Sequence, residues 1–152
     1  MLCTPKGCLM ANALFDLGRQ GFLDGSIDWD TAVIKVALVR GYTVNLATHQ
    51  FVSDVTTAGG TLVSTTAALS GKTVAAGVAD AADTVFAAVT AGAACPNLIV
   101  YQSSAVTGGG DVAASAQRLI AYIDTATGLP ITPNGGDINV AWDNGASKIF
   151  KL

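Results

Sequence analysis

The chain predicts a mainly β domain: a jelly-roll-like antiparallel β-sandwich of about eight strands, preceded by one short N-terminal helix. Three observations lead there. All 11 acidic residues are Asp, none is Glu, and only 8 residues are Lys or Arg, so the residues on which helix surfaces depend for propensity and i,i+4 pairs are scarce. Thr, Val, Gly, Asp and Asn, which short strands and tight turns use, are abundant beside 26 alanines and 17 glycines. From Thr61 onward, strand-like runs alternate with Gly, Pro and Asn turns at the spacing of sandwiches and barrels. At 152 residues and 15.3 kDa one core suffices, placed over residues 10–152, with residues 1–9 as a flexible extension.

Taken in order, the helix is expected over residues 12–23, where Ala11, Leu14, Phe15, Gly18 and Phe22 share one face. Asn12 reads as its N-cap and Asp24-Gly25 as its stop. The period then changes to two. Ile34, Val36 and Leu38 fall on one side and Lys35 on the other, a half-buried strand over residues 32–39 that Arg40-Gly41 turns. Further strands are read at 61–66, 72–78, 84–89, 98–102, 117–124, 137–142 and 148–152. In the sixth, Leu119, Ala121 and Ile123 alternate with Ile120 and Tyr122. In the seventh, Ile138, Val140 and Trp142 alternate with polar neighbours, which predicts Trp142 buried between sheets. Asn144-Gly145 before Lys148-Ile149-Phe150 is the strongest hairpin signal, since Asn-Gly suits a type I′ turn. Linkers, internal repeats and a second domain are not evident.

Charge narrows the function classes. Charged residues make up 12% of the chain and the net charge is -3, against about 25% charged in ordinary domains, so nucleic acid is not an expected partner. Mean hydropathy is +0.49, and residues 84–110 carry no charge. Gly92, Pro96-Asn97 and Gly108-Gly109-Gly110 nevertheless break that stretch short of a membrane span. The first fifteen residues have no continuous apolar run of the secretory kind. Cys3, Cys8 and Cys95 match no zinc spacing and read as reduced bystanders; a Cys3–Cys8 disulfide would close only a small loop.

Little chemistry is encoded. A single histidine, His49, leaves no His-based triad or multi-histidine metal site within one chain, and Thr48-His49-Gln50 lacks a nucleophile motif. Ser70-Gly71-Lys72-Thr73 resembles the tail of a P-loop, but Thr66 stands where the first glycine is required and no helix pattern follows. Asp24, Asp28 and Asp30 have oxygen-ligand spacing without the bidentate Glu of a calcium loop. Asp80 and Asp83 read as turn carboxylates rather than a glycosidase pair. Trp29, Tyr42, Tyr101 and Tyr122 would support carbohydrate binding if at least two were exposed on one face. A non-enzymatic protein without metal or cofactor is expected.

Phe22-Leu23-Asp24-Gly25-Ser26-Ile27-Asp28-Trp29-Asp30 and Ile34-Lys35-Val36-Ala37-Leu38-Val39 resemble the opening of a family of small structural proteins of tailed bacteriophage virions. The block from Arg118 to Ile138, with Leu129-Pro130-Ile131-Thr132-Pro133-Asn134-Gly135-Gly136, then Trp142-Asp143-Asn144-Gly145 and Lys148-Ile149-Phe150, is similar to that family's C-terminal part. The resemblance runs from about Met10 to Leu152. It implies a jelly-roll head decoration (cement) protein on the exterior of the phage head, made in the host cytoplasm, with the major capsid protein and a second copy of itself as partners. A tail or neck station in the virion is the alternative, and a carbohydrate-binding module a further one. The family offers no catalytic residues to carry over. Candidate interface residues are Phe15 and Phe22 in the N-terminal arm and Ile149, Phe150 and Leu152 in the terminal strand, which offers an edge to another chain.

Overall fold

The structure, a computed structural model, describes residues 12–152. The expected extension over residues 1–9, and with it Ala11 of the helical face, lies outside the described residues. In chain order the elements are β1 (Ala13–Leu14), α1 (Asp16–Asp24), β2 (Val33–Arg40), α2 (Val52–Thr57), β3 (Thr61–Thr65), β4 (Thr73–Ala75), β5 (Val78–Asp80), β6 (Thr84–Phe86), β7 (Asn97–Ser104), β8 (Arg118–Ile123), β9 (Ile138–Val140) and β10 (Phe150–Lys151). Every pairing is antiparallel. A five-stranded sheet runs β1-β8-β7-β2-β3, a three-stranded sheet β10-β5-β4 and a two-stranded sheet β6-β9. The fold is therefore mainly β and sandwich-like, with helix among the described residues confined to two short segments. Its sheets of five, three and two strands do not spell out a jelly roll, whose eight strands make two Greek keys.

Period-two alternation sorts the large sheet's side chains into two cores. From β2, Ile34, Val36 and Leu38 enter the main core with Leu98 and Val100 of β7, and the small sheets close over it with Ala79, Phe86, Val140 and Phe150. The other side of β2 and β7, Ala37, Val39, Ile99 and Tyr101, is covered by Tyr42 and by Val52 and Val55 of α2. Both faces of the sheet are thus buried, which is why β7 is buried along its whole length. The register of β8 against β7 shifts at Ile120, which faces no β7 residue: Val100 pairs Ala121 and Tyr101 pairs Leu119. That bulge moves Ile120 into the main core beside Ala121, while Leu119 joins Tyr122 in the second. The unbroken alternation expected over residues 117–124 is therefore interrupted at Ile120.

Other differences have local causes. The helix begins at Asp16 because Ala13 and Leu14 pair with Tyr122 and Ala121 as an edge strand. Asn12 therefore caps no helix; its side chain bonds the Asp124 and Thr125 backbone instead. Gly25, at φ 77°, ends α1 as expected. Gly18 lets α1 lie against β8, since a Cβ there would sit 2.8 Å from the Leu119 carbonyl oxygen. The run read at 72–78 is a hairpin, β4 and β5 joined by Ala76-Gly77, both at positive φ. The hairpin expected at Asn144-Gly145 does not form: β9 pairs with β6 and β10 with β5, and neither turn residue has positive φ. Trp142 lies beyond the end of β9, half-buried against the main core, with its indole N–H donated to the Ala82 carbonyl at 3.2 Å. It is not enclosed between sheets.

Candidate functional site

His49, Cys95, Asp24 and Asp28 each make structural contacts. His49 stacks on Tyr42, with ring centroids 5.5 Å apart. Its Nδ1 lies 2.6 Å from the Tyr42 hydroxyl and 3.3 Å from the Asn45 N–H, contacts that fasten the 41–50 segment over the second core. Burial, with Asp54 nearby, pushes the Tyr42 hydroxyl above its ordinary pKa. Cys95 is buried among core side chains, and that burial raises its thiol too, the opposite of a reactive cysteine. Asp24 accepts hydrogen bonds from the Ser26 hydroxyl and N–H at 2.5 and 2.9 Å, and Asp28 from those of Thr31 at 2.7 and 3.2 Å. These bonds hold both carboxyls below their usual range. Among the described residues, no group of three or more His, Cys, Asp or Glu is placed to hold a metal ion.

The remaining candidates serve as fasteners. Asp80 takes the Ala81 N–H at 2.9 Å and pairs with Lys148 at 3.5 Å, while Asp83 accepts the Trp142 N–H at 2.9 Å. Lys72 donates to the Ala32 carbonyl just before β2, so Ser70-Gly71-Lys72-Thr73 leads into a strand, not a phosphate cradle. Trp29, Tyr42, Tyr101 and Tyr122 are all buried, so these four make no sugar-stacking platform. Trp29 donates its indole N–H to the Asp80 carbonyl at 3.1 Å, and the Tyr122 hydroxyl accepts from the Asn97 side chain at 2.7 Å.

What the surface does offer is an apolar groove of about 350 Å³ between the end of α1 and the β10-β5-β4 sheet. Phe22, Val74, Ala79, Phe150 and Leu152 line it, and so do Asp28 and Asp30. Leu23 continues the apolar surface past Phe22 and Leu152 towards Arg19 and Lys151. The proposed interface residues divide here. Phe15 is fully enclosed in the second core and Phe150 is buried, packing on Phe22 and Trp29; these two are core residues, because β1 and β10 tuck them under the sheets. Phe22 and Ile149 are half-buried, and Leu152 is exposed. Leu23 and Val74 were missed by the sequence reading. The signal for Leu23 was an apolar residue standing outside the i, i+3, i+4 face of its own helix.

No family model matches the chain, and no curated protein matches it.

Proposed function

We propose that this chain is a non-enzymatic structural protein of a tailed-phage virion, attached to the exterior of the assembled head as a decoration protein. The sequence blocks that resemble the virion family supply the class. The structural observation that carries an assembly role is the outer edge of β3. This strand, Thr61–Thr65, ends the five-stranded sheet, contains neither charge nor proline, and is paired on one side only among the described strands. Natural sheets usually blunt such an edge with Lys, Pro or a covering segment, because bare N–H and C=O groups pair readily with another chain. On a virion that pairing is an asset.

Binding only the completed shell would stabilise it by mass action, and many copies on one particle would add up. The major capsid protein is the partner this reading requires. A direct test adds the purified chain to heads stripped of it: saturable rebinding to heads, with none to isolated tails, is the expected result. Binding to tails or necks alone would move the protein to that station in the virion.

A further inference from the structure

Asn-Gly occurs twice in the chain, at Asn134-Gly135 and Asn144-Gly145, and all four residues are exposed. Their hydrogen bonding differs. Gly135 donates its N–H to the Val89 carbonyl at 2.9 Å, the Asn134 Oδ1 accepts the Gly136 N–H at 3.0 Å, and the Gly136 carbonyl takes the Val89 N–H at 3.0 Å. Val89 belongs to the main core, so this turn is fastened to it. Asn144-Gly145 has no such fastening. Trp142 on one side is held by Asp83, and Lys148 and Ile149 on the other by Asp80 and Ala79. Over residues 143–147 the only hydrogen bond among the described residues is a long one, 3.4 Å, from the Lys148 N–H to the Gly145 carbonyl. The Asp143 carboxylate lies against Gly145 without accepting its N–H.

We propose that Asn144 is a modification site: in the folded protein the Gly145 amide nitrogen attacks the Asn144 side-chain carbonyl, converting this asparagine to aspartate and isoaspartate while Asn134 is spared. The bond from the Gly145 nitrogen to Cγ forms, the Cγ–Nδ2 bond breaks, and the side-chain nitrogen leaves as ammonia with the proton of the Gly145 amide. Water then opens the cyclic imide at either carbonyl. Opening at Cγ leaves aspartate; opening at the main-chain carbonyl leaves isoaspartate, whose main chain runs through Cβ and Cγ. No oxidant is needed, and water is the co-reactant. Ring closure requires a following residue without a Cβ to crowd the nitrogen and a backbone free to rotate. It also requires a side chain free to turn onto that nitrogen. Asn144-Gly145 meets all of these conditions. At Asn134 the nitrogen is committed to Val89 and the side-chain oxygen to Gly136, so two hydrogen bonds must break first. The product places a carboxylate next to Asp143 and makes the net charge of -3 one unit more negative. The reaction involves no phage particle, so it stands or falls apart from attachment to the head.

The purified full chain, kept folded in mildly alkaline buffer for several days beside a portion unfolded in urea, provides the test, with each asparagine located by tandem mass spectrometry. In the folded chain Asn144 should become one mass unit heavier and appear as both aspartate and isoaspartate, with Asn134 slower by about tenfold or more. In urea the two should react at similar rates, since the bonds that distinguish them are gone. Ion exchange of the intact folded protein should show a growing acidic form, and Asn144→Gln, with circular dichroism unaltered at this exposed position, should lack it. Asn144 stable in the folded chain, Asn134 keeping pace with it there, a gap between them that persists in urea, or an acidic form undiminished in Asn144→Gln would each overturn the proposal.

Discussion

The ring of Phe150 meets Trp29 edge-on, with centroids 5.1 Å apart and planes at 88°. This contact fastens the last strand of the chain to the loop that follows α1, and Phe22 packs on the same ring at 5.7 Å. Residues far apart in sequence thereby close the main core at the floor of the apolar groove.

Phe150→Ala should therefore cost about 3–5 kcal/mol, as aromatic truncations in cores do, which is a fall of roughly 10 °C in Tm for a domain of this size. Trp142→Ala, at a half-buried site, should cost less, about 1–2 kcal/mol. Urea denaturation of the two variants decides; a Trp142 effect as large as that of Phe150 would mean the indole is enclosed after all.

Ala76 holds φ 50° in the two-residue turn between β4 and β5. A residue with a Cβ is penalised there, so Ala76→Gly should raise stability by about 1 kcal/mol, and Ala76→Asn should gain some of the same. Chemical denaturation with an unchanged m-value is the check. A loss of stability would show that the left-handed turn is not the one populated.

Gly18→Ala should destabilise by about 1–3 kcal/mol, the range for overpacking. The added Cβ would meet backbone, with the Leu119 and Ile120 carbonyl oxygens at 2.8 and 3.2 Å, which yields less easily than a side chain. An unchanged Tm in Gly18→Ala would show that α1 has room to lift off β8.

Burial raises the hydroxyl pKa of Tyr42, Tyr101 and Tyr122, that of Tyr101 to about 12. Each group is held neutral by the fold, so the unfolded chain releases its protons first. The stability this represents is complete below the unfolded value of about 10 and is lost as pH rises from there towards the folded value. Denaturation midpoints should be flat on this account up to about pH 10 and fall above it. Phenolate absorbance of these three tyrosines should rise together with the loss of circular dichroism. Their ionisation in a still-folded protein at pH 10 would contradict the burial.

The legible part of this fold is what local pattern controls. The alternation of Ile34, Val36 and Leu38 marked β2, and Gly25 marked the end of α1, because side-chain phase and backbone conformation are written residue by residue. What was illegible depended on partners. Nothing near Asn144-Gly145 says that β9 will pair with β6 and β10 with β5, so the best local turn signal gave a hairpin the tertiary pairing overrides. The bulge at Ile120 likewise reverses a phase that the sequence alone shows as regular. Val52–Thr57 carries little helix propensity; α2 is made by Asp54 accepting the Gln50 and Phe51 N–H groups at 2.7 and 2.8 Å and by Val52 and Val55 sealing the second core. As for the groove, the sequence marks Phe22, Phe150 and Leu152. It does not mark Leu23 and Val74, since only the folded chain brings α1 beside β4.

We propose that this chain decorates the phage head, and its copy number on purified, intact particles decides the matter. Quantitative mass spectrometry against the major capsid protein should find the chain in hundreds of copies per particle, and labelled antibody should bind the head exterior. A handful of copies at the neck or tail, or none on the particle, would contradict it.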